Sequence, residues 1–263
     1  MSRLRAVLTA FILFLFISPS AAIAGSINGS ITVSAAASLK NVLTGLATDF
    51  EHQNSNTKIL LNFGSSGALM AQIEEGAPVD VFIAASTREV DELGNKGLIY
   101  PGSVFDMAGN SVVLVTPANM ANVHSFSDLA RPDVKRIAVG NPKTVPAGRY
   151  AEEVLKKLGL FDSIKGKFIY TEDVRQALDY TKRGEVDAAV VYGTDAAIDG
   201  QAVRIAALAP ANSHKPVVYP AAIIKGSRNM DLASAFSAFL RSARARAVLK
   251  RYGFVLEAAR KGK

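Results

Sequence analysis

The chain has 263 residues, a formal net charge of +7 at pH 7 and no cysteine. The lack of cysteine excludes disulfides and a lipid-modified N-terminal cysteine. A basic balance can indicate nucleic-acid binding, but the charges are scattered along the chain, so we expect no such partner.

The N-terminal segment has the pattern of a secretory signal peptide. Arg3 and Arg5 precede an apolar run over 6–17, and small residues around Ala24 suit signal peptidase. A membrane anchor is the weaker interpretation, because the run is far shorter than the ~20 residues that span a bilayer. We therefore predict that residues 1–24 are a signal peptide, cleaved after about Ala24, and that the mature chain is soluble.

Val- and Ile-rich apolar runs then alternate with segments of helical periodicity, which is typical of an α/β fold with mostly parallel, buried strands. In the first part of the chain, strands are predicted over 31–36, 58–63 and 79–84. Helices are predicted over 39–50 and 66–75, and a third begins at a capping box of Ser86 and Glu89 and ends at Gly97.

The second part continues the alternation. Strands are predicted over 111–116, 136–140, 188–191 and 217–224, and the tail is helical. Ser125 and Asp128 cap a short helix, Pro146 opens a helix that ends near Gly159, and Thr171 caps another that runs to residue 182. The order of the strands in a sheet cannot be obtained from periodicity.

Two strand-to-helix turns carry serine where a helix begins: Ser38 in the motif AAASL (35–39) and Ser66 in FGSSG (63–67). Ligands of parallel α/β sheets gather beyond the carboxyl ends of strands, where helix N-termini carry about half a positive charge. Each serine taken singly is more simply an N-cap.

Three later positions offer similar donors. Proline at 146 leaves the N–H of Ala147 or Gly148 unpaired in a first helical turn, and Val174 lies in another first turn. Tyr192 ends a buried strand, so its ring packs in the core while its hydroxyl needs a partner. Core packing alone would also account for Tyr192.

These positions together predict a pocket rich in neutral hydrogen-bond donors. Such a pocket suits a fully ionised dianion such as molybdate or sulfate, whose oxygens only accept hydrogen bonds. Phosphate near neutral pH often keeps a proton and benefits from a carboxylate acceptor. Glu172 and Asp173 weaken that distinction, although acidic residues in a first turn are more often partners of the helix dipole.

Enzyme chemistry is poorly supported. His52, His124 and His214 are isolated from one another and show no metal-ligand spacing. The chain has no nucleophile elbow, P-loop or dinucleotide fingerprint. We predict a protein that is not an enzyme and needs no cofactor; a secreted hydrolase using Ser38 or Ser66 is the alternative of another class.

Several motifs resemble, in collinear order, the periplasmic molybdate-binding proteins, which are the substrate-binding components of molybdate ABC transporters. The motifs are VSAAASL (33–39), FGSSGAL (63–69), GAPVDVFI (76–83), VPAGRYA (145–151), EDVR (172–175), VYGTD (191–195) and RYGF (251–254). They extend through nearly all of the mature chain and are specific as a set.

The resemblance implies the two-domain periplasmic-binding-protein fold (type II), with the ligand in the interdomain cleft. Domain I would comprise 25–108 plus 216–263 and domain II 109–215, with crossings near 109–112 and 215–219. The implied function is high-affinity binding of molybdate and tungstate in the periplasm and delivery to the membrane permease of an ABC transporter by a monomer. The metal would be bound only as its oxyanion, through Ser38, Ser66, Ala147, Val174 and Tyr192.

The chain also departs from the family pattern. Ser34 stands where the family has an aromatic residue, and Asn141 stands where it has an aspartate. The family also has a serine or threonine near the position of Gly67. Asn141 and the added Arg149 are expected to alter pocket charge and selectivity. A binding protein for another oxyanion, chiefly sulfate, remains the nearest alternative, and a ligand-sensing regulator is disfavoured. The basic stretch between Arg241 and residue 251 is a solvated helix face or a docking face.

Overall fold

A computed structural model describes residues 27–120, 122–198 and 200–256. The predicted signal peptide lies outside these ranges. None of the helices within them combines the length and apolar character that a membrane crossing requires.

The described residues form ten strands in two sheets. The strands are β1 (Gly29–Ala36), β2 (Thr57–Gly64), β3 (Val81–Ile83), β4 (Phe105–Asn110), β5 (Val112–Pro117), β6 (Ile137–Gly140), β7 (Phe168–Thr171), β8 (Ala188–Tyr192), β9 (Val203–Leu208) and β10 (Val217–Ile223). The helices are α1 (Lys40–Gln53), α2 (Ser66–Glu74), α3 (Thr87–Asn95), α4 (Pro146–Lys157), α5 (Phe161–Ile164), α6 (Val174–Lys182), α7 (Gly193–Ile198), α8 (Met230–Leu240) and α9 (Ala243–Arg251). Short 3-10 helices lie at Ala37–Leu39, Phe126–Ala130 and Lys165–Lys167.

The first sheet has the order β2-β1-β3-β10-β4 and the second β7-β6-β8-β5-β9. In the first, β1 is parallel to β2 and β3, whereas β10 is antiparallel to β3 and β4. The second repeats this plan, with β6 parallel to β7 and β8 and β5 antiparallel to β8 and β9. We call each sheet with its helices a lobe. The α/β fold class is thereby confirmed.

The chain crosses between the lobes at two points. It leaves the first lobe between β4 and β5, at Ser111, and returns between β9 and β10. Strands β5 and β8 of the second sheet are buried along their whole length, and helices α4, α6 and α7 pack against them. Their continuous Val- and Ala-rich sequences are what that burial requires.

Three strands that the sequence did not predict, β4, β7 and β9, lie at sheet edges. An edge strand is half exposed, so its apolar pattern is weaker than that of a central strand. In β9, for example, Ile205 and Leu208 are exposed.

Two predicted helix caps were wrong in detail. The N-cap of α6 is Asp173 instead of Thr171, and its carboxylate accepts hydrogen bonds from the backbone N–H groups of Arg175 and Gln176. Ser86 is the N-cap of α3, but its hydroxyl donates to the Glu89 carboxylate (2.6 Å) and makes no cap hydrogen bond. The capping box of Ser125 and Asp128 is present.

Candidate functional site

A small cavity lies between the lobes. The residues that line it are Ala36, Ala37, Ser38, Gly64, Ser65, Ser66, Ala85, Val145, Pro146, Ala147, Asp173, Val174 and Tyr192. All five positions predicted from the sequence are among them. The empty space is about 210 Å³ and includes a part that is open to solvent, so the cavity suits only a small molecule or ion.

The first lobe contributes Ser38 and Ser66 through adjacent parallel strands. Residue Ala36 at the end of β1 pairs with Gly64 at the end of β2. Ser38 then lies in the 3-10 turn that leads into α1, and Ser66 is the first residue of α2. The two serines therefore meet at the carboxyl edge of the sheet.

The second lobe contributes its three positions in the same way. Gly140 ends β6 and pairs with Thr171 at the end of the parallel strand β7. Ala147 lies in the first turn of α4, Val174 begins α6, and Tyr192 ends the neighbouring strand β8. The first-turn N–H groups of Ala147 and Val174 have no acceptor within their own helices, so they are available to a ligand.

One glycine pair lets α4 approach the strand that precedes it. A Cβ atom on Gly148 would lie 1.8 Å from the carbonyl oxygen of Gly140. Only glycine at 148 permits this contact, which holds the N-terminus of α4 at the cavity.

The hydroxyl groups of Ser38, Ser66 and Tyr192 are buried and differ in their protein partners. Ser38 Oγ lies 3.0 Å from the Tyr219 hydroxyl, and Ser66 Oγ accepts a hydrogen bond from the Ala85 N–H (2.9 Å). The Tyr192 hydroxyl has no hydrogen-bond partner. Burial raises the pKa of Tyr192 well above its ordinary value, so this hydroxyl keeps its proton. An unpaired buried hydroxyl costs about 1–3 kcal/mol, and a ligand that accepts from it would recover that cost.

The two acidic residues next to the site do not offer a free acceptor to a ligand in the cavity. Asp173 Oδ1 accepts from two N–H groups of its own helix. Glu172 is exposed and does not line the cavity. The interpretation of these residues as helix-dipole partners agrees with this geometry.

Several contacts cross from one lobe to the other beside the cavity. The Gly67 N–H donates to the Thr144 carbonyl (2.9 Å), and Arg175 Nη2 donates to the Ser38 carbonyl (3.2 Å). Arg149 forms an ion pair with Glu89 and also donates to Ser86 Oγ (3.1 Å). These contacts define a closed cleft.

Arg149 and Asn141, which were expected to alter the charge of the pocket, both have partners outside it. Neither lines the cavity. Arg149 is committed to the ion pair with Glu89, which is only 2% exposed, and Asn141 Oδ1 accepts from the Lys143 N–H. Arg149 thus contributes to lobe contact, a role that could not be inferred because Glu89 lies 60 residues away in the sequence.

A second ion pair involves Arg175, the residue that follows Val174 in the sequence. Arg175 Nε is 2.6 Å from Asp195 Oδ1, and Asp195 is fully buried. Burial raises the pKa of Asp195 to about 6, although the Arg175 guanidinium opposes the shift. The cation beside the site is therefore largely balanced by its own partner.

In the described parts of the chain, no group of three or more histidine and acidic side chains could hold a metal ion. The neighbours of the two site serines are a tyrosine hydroxyl and a backbone N–H. Burial raises the pKa of Tyr219, so its hydroxyl keeps its proton, and an amide N–H is not basic; neither therefore provides the general base that a serine nucleophile needs.

Comparison with known proteins agrees with this geometry. The model of the family "bacterial extracellular solute-binding protein" matches residues 31–255. The molybdate-binding protein ModA of Haemophilus influenzae is 41% identical over 233 residues, covering 86% of this chain and 90% of that protein. ModA of Escherichia coli is 38% identical over 234 residues, covering 87% and 90%. The solved structure of the Azotobacter vinelandii periplasmic molybdate-binding protein matches with a TM-score of 0.79 and 30% identity, over 87% of this chain and all of that one.

Proposed function

Because the chain belongs to the bacterial extracellular solute-binding proteins, we propose that it binds molybdate between its lobes and delivers it to the membrane permease of an ABC transporter. Tungstate has nearly the same size and charge as molybdate, so the same site binds it. The protein acts as a monomer in the periplasm, after removal of residues 1–24. It performs no chemistry on its ligand and uses no cofactor.

The proposed binding residues are Ser38 and Ser66 from the first lobe and Ala147, Val174 and Tyr192 from the second. The lobes correspond to the predicted domain I (25–108 plus 216–263) and domain II (109–215), except that β4, which ends at Asn110, belongs to the first lobe. The observation that carries this assignment is the Tyr192 hydroxyl, which is buried in the cavity wall without a protein partner. A tetrahedral oxyanion has four acceptor oxygens and can receive hydrogen bonds from both lobes at once. The metal itself has no protein ligand and is held only through its oxygens.

Binding is coupled to closure of the cleft. A ligand shifts an open–closed equilibrium only through its differential affinity for the closed form. Contacts from both lobes satisfy this condition, because an anion held by one lobe alone would gain nothing from closure. The permease would then recognise the closed protein.

Two alternatives make different predictions. A sulfate-binding protein would use the same donors with a smaller cavity radius. A serine hydrolase would turn its substrate over and need a base beside Ser38 or Ser66, whereas the contacts of both serines argue for stoichiometric binding without turnover.

The test is a thermal-shift titration of protein purified from the periplasm of an expressing bacterium. Molybdate, tungstate, sulfate and phosphate are compared at equal ionic strength. Ligand at about a thousand times its Kd adds roughly 4 kcal/mol, which raises the midpoint by on the order of 10 °C in a chain of this size. A large rise with molybdate and tungstate alone supports the proposal. No rise, or a larger one with sulfate or phosphate, overturns it. N-terminal sequencing of the same sample tests cleavage after Ala24.

A further inference from the structure

Two residues outside the cavity lie directly behind Ser38. Tyr219, on β10, is fully buried, and its hydroxyl is 3.0 Å from Ser38 Oγ. Asn110, the last residue of β4, places its Nδ2 3.0 Å from the same hydroxyl and 2.8 Å from Thr194 Oγ1. Neither residue lines the cavity.

The orientation of the Asn110 amide fixes the direction of these hydrogen bonds. The Ser111 backbone N–H, which can only donate, lies 2.9 Å from Asn110 Oδ1. The other end of the amide is therefore the NH₂ group, which also can only donate. It follows that the Tyr219 oxygen accepts a hydrogen bond from Asn110.

A tyrosine hydroxyl has a single proton to donate. Among the described residues, the buried Tyr219 hydroxyl has Asn110 and Ser38 as hydrogen-bond partners, and because the NH₂ group of Asn110 can only donate, Ser38 Oγ is the acceptor available to the Tyr219 proton. Burial raises the pKa of Tyr219 above its ordinary value, so the proton is retained. Ser38 Oγ thus accepts from Tyr219, and its own proton is left to point into the cavity.

The Ser66 hydroxyl also accepts a hydrogen bond from the protein, but from a different donor. The Ala85 N–H donates to Ser66 Oγ at 2.9 Å, which also leaves the Ser66 proton free. Both serine hydroxyls therefore receive a hydrogen bond from the protein and offer one to the cavity. A ligand that carries its own proton therefore meets a hydrogen-bond donor at each of these positions, where its proton would need an acceptor.

We propose that Asn110 and Tyr219 are positioning residues that fix the Ser38 hydroxyl as a donor to the bound anion. This inference rests on the proposed function and adds how Ser38 distinguishes a fully ionised oxyanion from a protonated one. Without Tyr219, the Ser38 hydroxyl rotates freely and loses the polarisation that a chain of hydrogen bonds gives it.

The test is a double-mutant cycle on molybdate binding, measured by isothermal titration calorimetry. The four proteins are the parent, Tyr219→Phe, Ser38→Ala and the double variant. Tyr219→Phe is expected to raise the Kd about 3- to 10-fold when Ser38 is present. In the Ser38→Ala background the same change is expected to alter the Kd by less than about 2-fold, because the group on which Tyr219 acts is gone.

A purely structural role of Tyr219 would change the Kd by the same factor in both backgrounds, and that result would overturn the inference. The proposed function fails separately, if the parent protein does not bind molybdate. Thr181→Val is the matched control, since it removes another buried hydroxyl whose contact, the Ala177 carbonyl at 2.9 Å, lies within α6. Its Kd should equal that of the parent.

Asn110→Ala provides a second route should Tyr219→Phe fold poorly, as judged by its ligand-free unfolding midpoint. It removes the donor that directs the Tyr219 proton and leaves the Tyr219 ring in place. We expect a Kd increase of about 2- to 5-fold that again disappears in the Ser38→Ala background. An increase that persists in that background would contradict the inference.

Discussion

Gly67 brings the backbone of the first lobe into direct contact with that of the second beside the cavity. It lies in the first turn of α2, and its N–H donates to the Thr144 carbonyl across the cleft. A Cβ atom at this position would lie 2.7 Å from the Thr144 oxygen and 2.8 Å from its Cα. Gly67→Ala is therefore expected to oppose closure while leaving each lobe intact.

The size of the effect follows from the contact. Ordinary van der Waals contact lies between 3.4 and 4 Å, so the backbone of Thr144 has to move away from 2.7 Å to accommodate the methyl group. The interlobe hydrogen bond stretches with it. Overpacking and a lost hydrogen bond each cost about 1–3 kcal/mol. Even one such cost, applied to the closed state alone, raises the molybdate Kd about 5- to 150-fold.

The ligand-free protein should respond in the opposite direction. Alanine in a helix is favoured over glycine by about 0.5–1 kcal/mol, and in an open cleft the methyl group meets no neighbour. The free energy of unfolding without molybdate should therefore stay equal or increase. Gly45→Ala is the matched control, because Gly45 lies in the middle of α1 and nothing is within 4 Å of the added Cβ. It should give the same gain in stability and leave the Kd unchanged.

Calorimetric titration with molybdate gives the Kd, and urea unfolding without ligand gives the stability. The reasoning is refuted if Gly67→Ala binds molybdate as tightly as Gly45→Ala, because the lobes would then not need this approach. It is also refuted if Gly67→Ala lowers the ligand-free stability by more than about 1 kcal/mol, because the clash would then lie within the ligand-free fold.

Three further changes test other contacts of the site. Tyr192→Phe should raise the molybdate Kd about 10- to 150-fold in calorimetry without lowering ligand-free stability, since its hydroxyl has no protein partner to lose; an unchanged Kd would remove Tyr192 from the site. Glu89→Gln should raise the Kd about 5- to 10-fold by weakening the ion pair across the cleft. Glu92→Gln should not, because the half-buried Glu92 pairs with Arg88 within the same helix; equal effects of the two changes would contradict this role of Glu89. In the folded protein the pKa of Asp195 is raised from 3.8 to about 6. The protonated Asp195 therefore adds to the free energy of unfolding below about pH 4, and this contribution is lost as the pH rises through about 6. Urea unfolding from about pH 4 to about pH 7 should show this loss in the parent relative to Asp195→Asn, and parallel pH profiles would contradict it.

The five predicted positions of the site could be identified because each follows from a local rule. A helix N-terminus leaves N–H groups unpaired, whatever the helix later packs against. Ser66, Ala147 and Val174 satisfy that rule in first turns, and Ser38 lies in the turn before α1. That the five positions face one cavity depends on strand order, which periodicity does not encode; only the family resemblance implied it.

The residues that were missed act through contacts distant in sequence. Tyr219 is 181 residues from Ser38, and Asn110 is 109 residues from Tyr219. Within their own segments Tyr219 is one more aromatic residue of a buried strand and Asn110 ends an edge strand. Tyr219 does carry the signal that was used for Tyr192, a buried hydroxyl that needs a partner.

The absence of a cation from the cavity wall bears directly on selectivity. Among the described residues that line the cavity there is no lysine or arginine, and the nearby Arg175 is paired with Asp195. A guanidinium in the wall would attract any anion, because its charge acts over distance. Hydroxyl and N–H donors act only over hydrogen-bond distances and in fixed directions. A dianion held by such donors has to match them in number, geometry and protonation, so the site gives up general attraction for anions and gains discrimination among them.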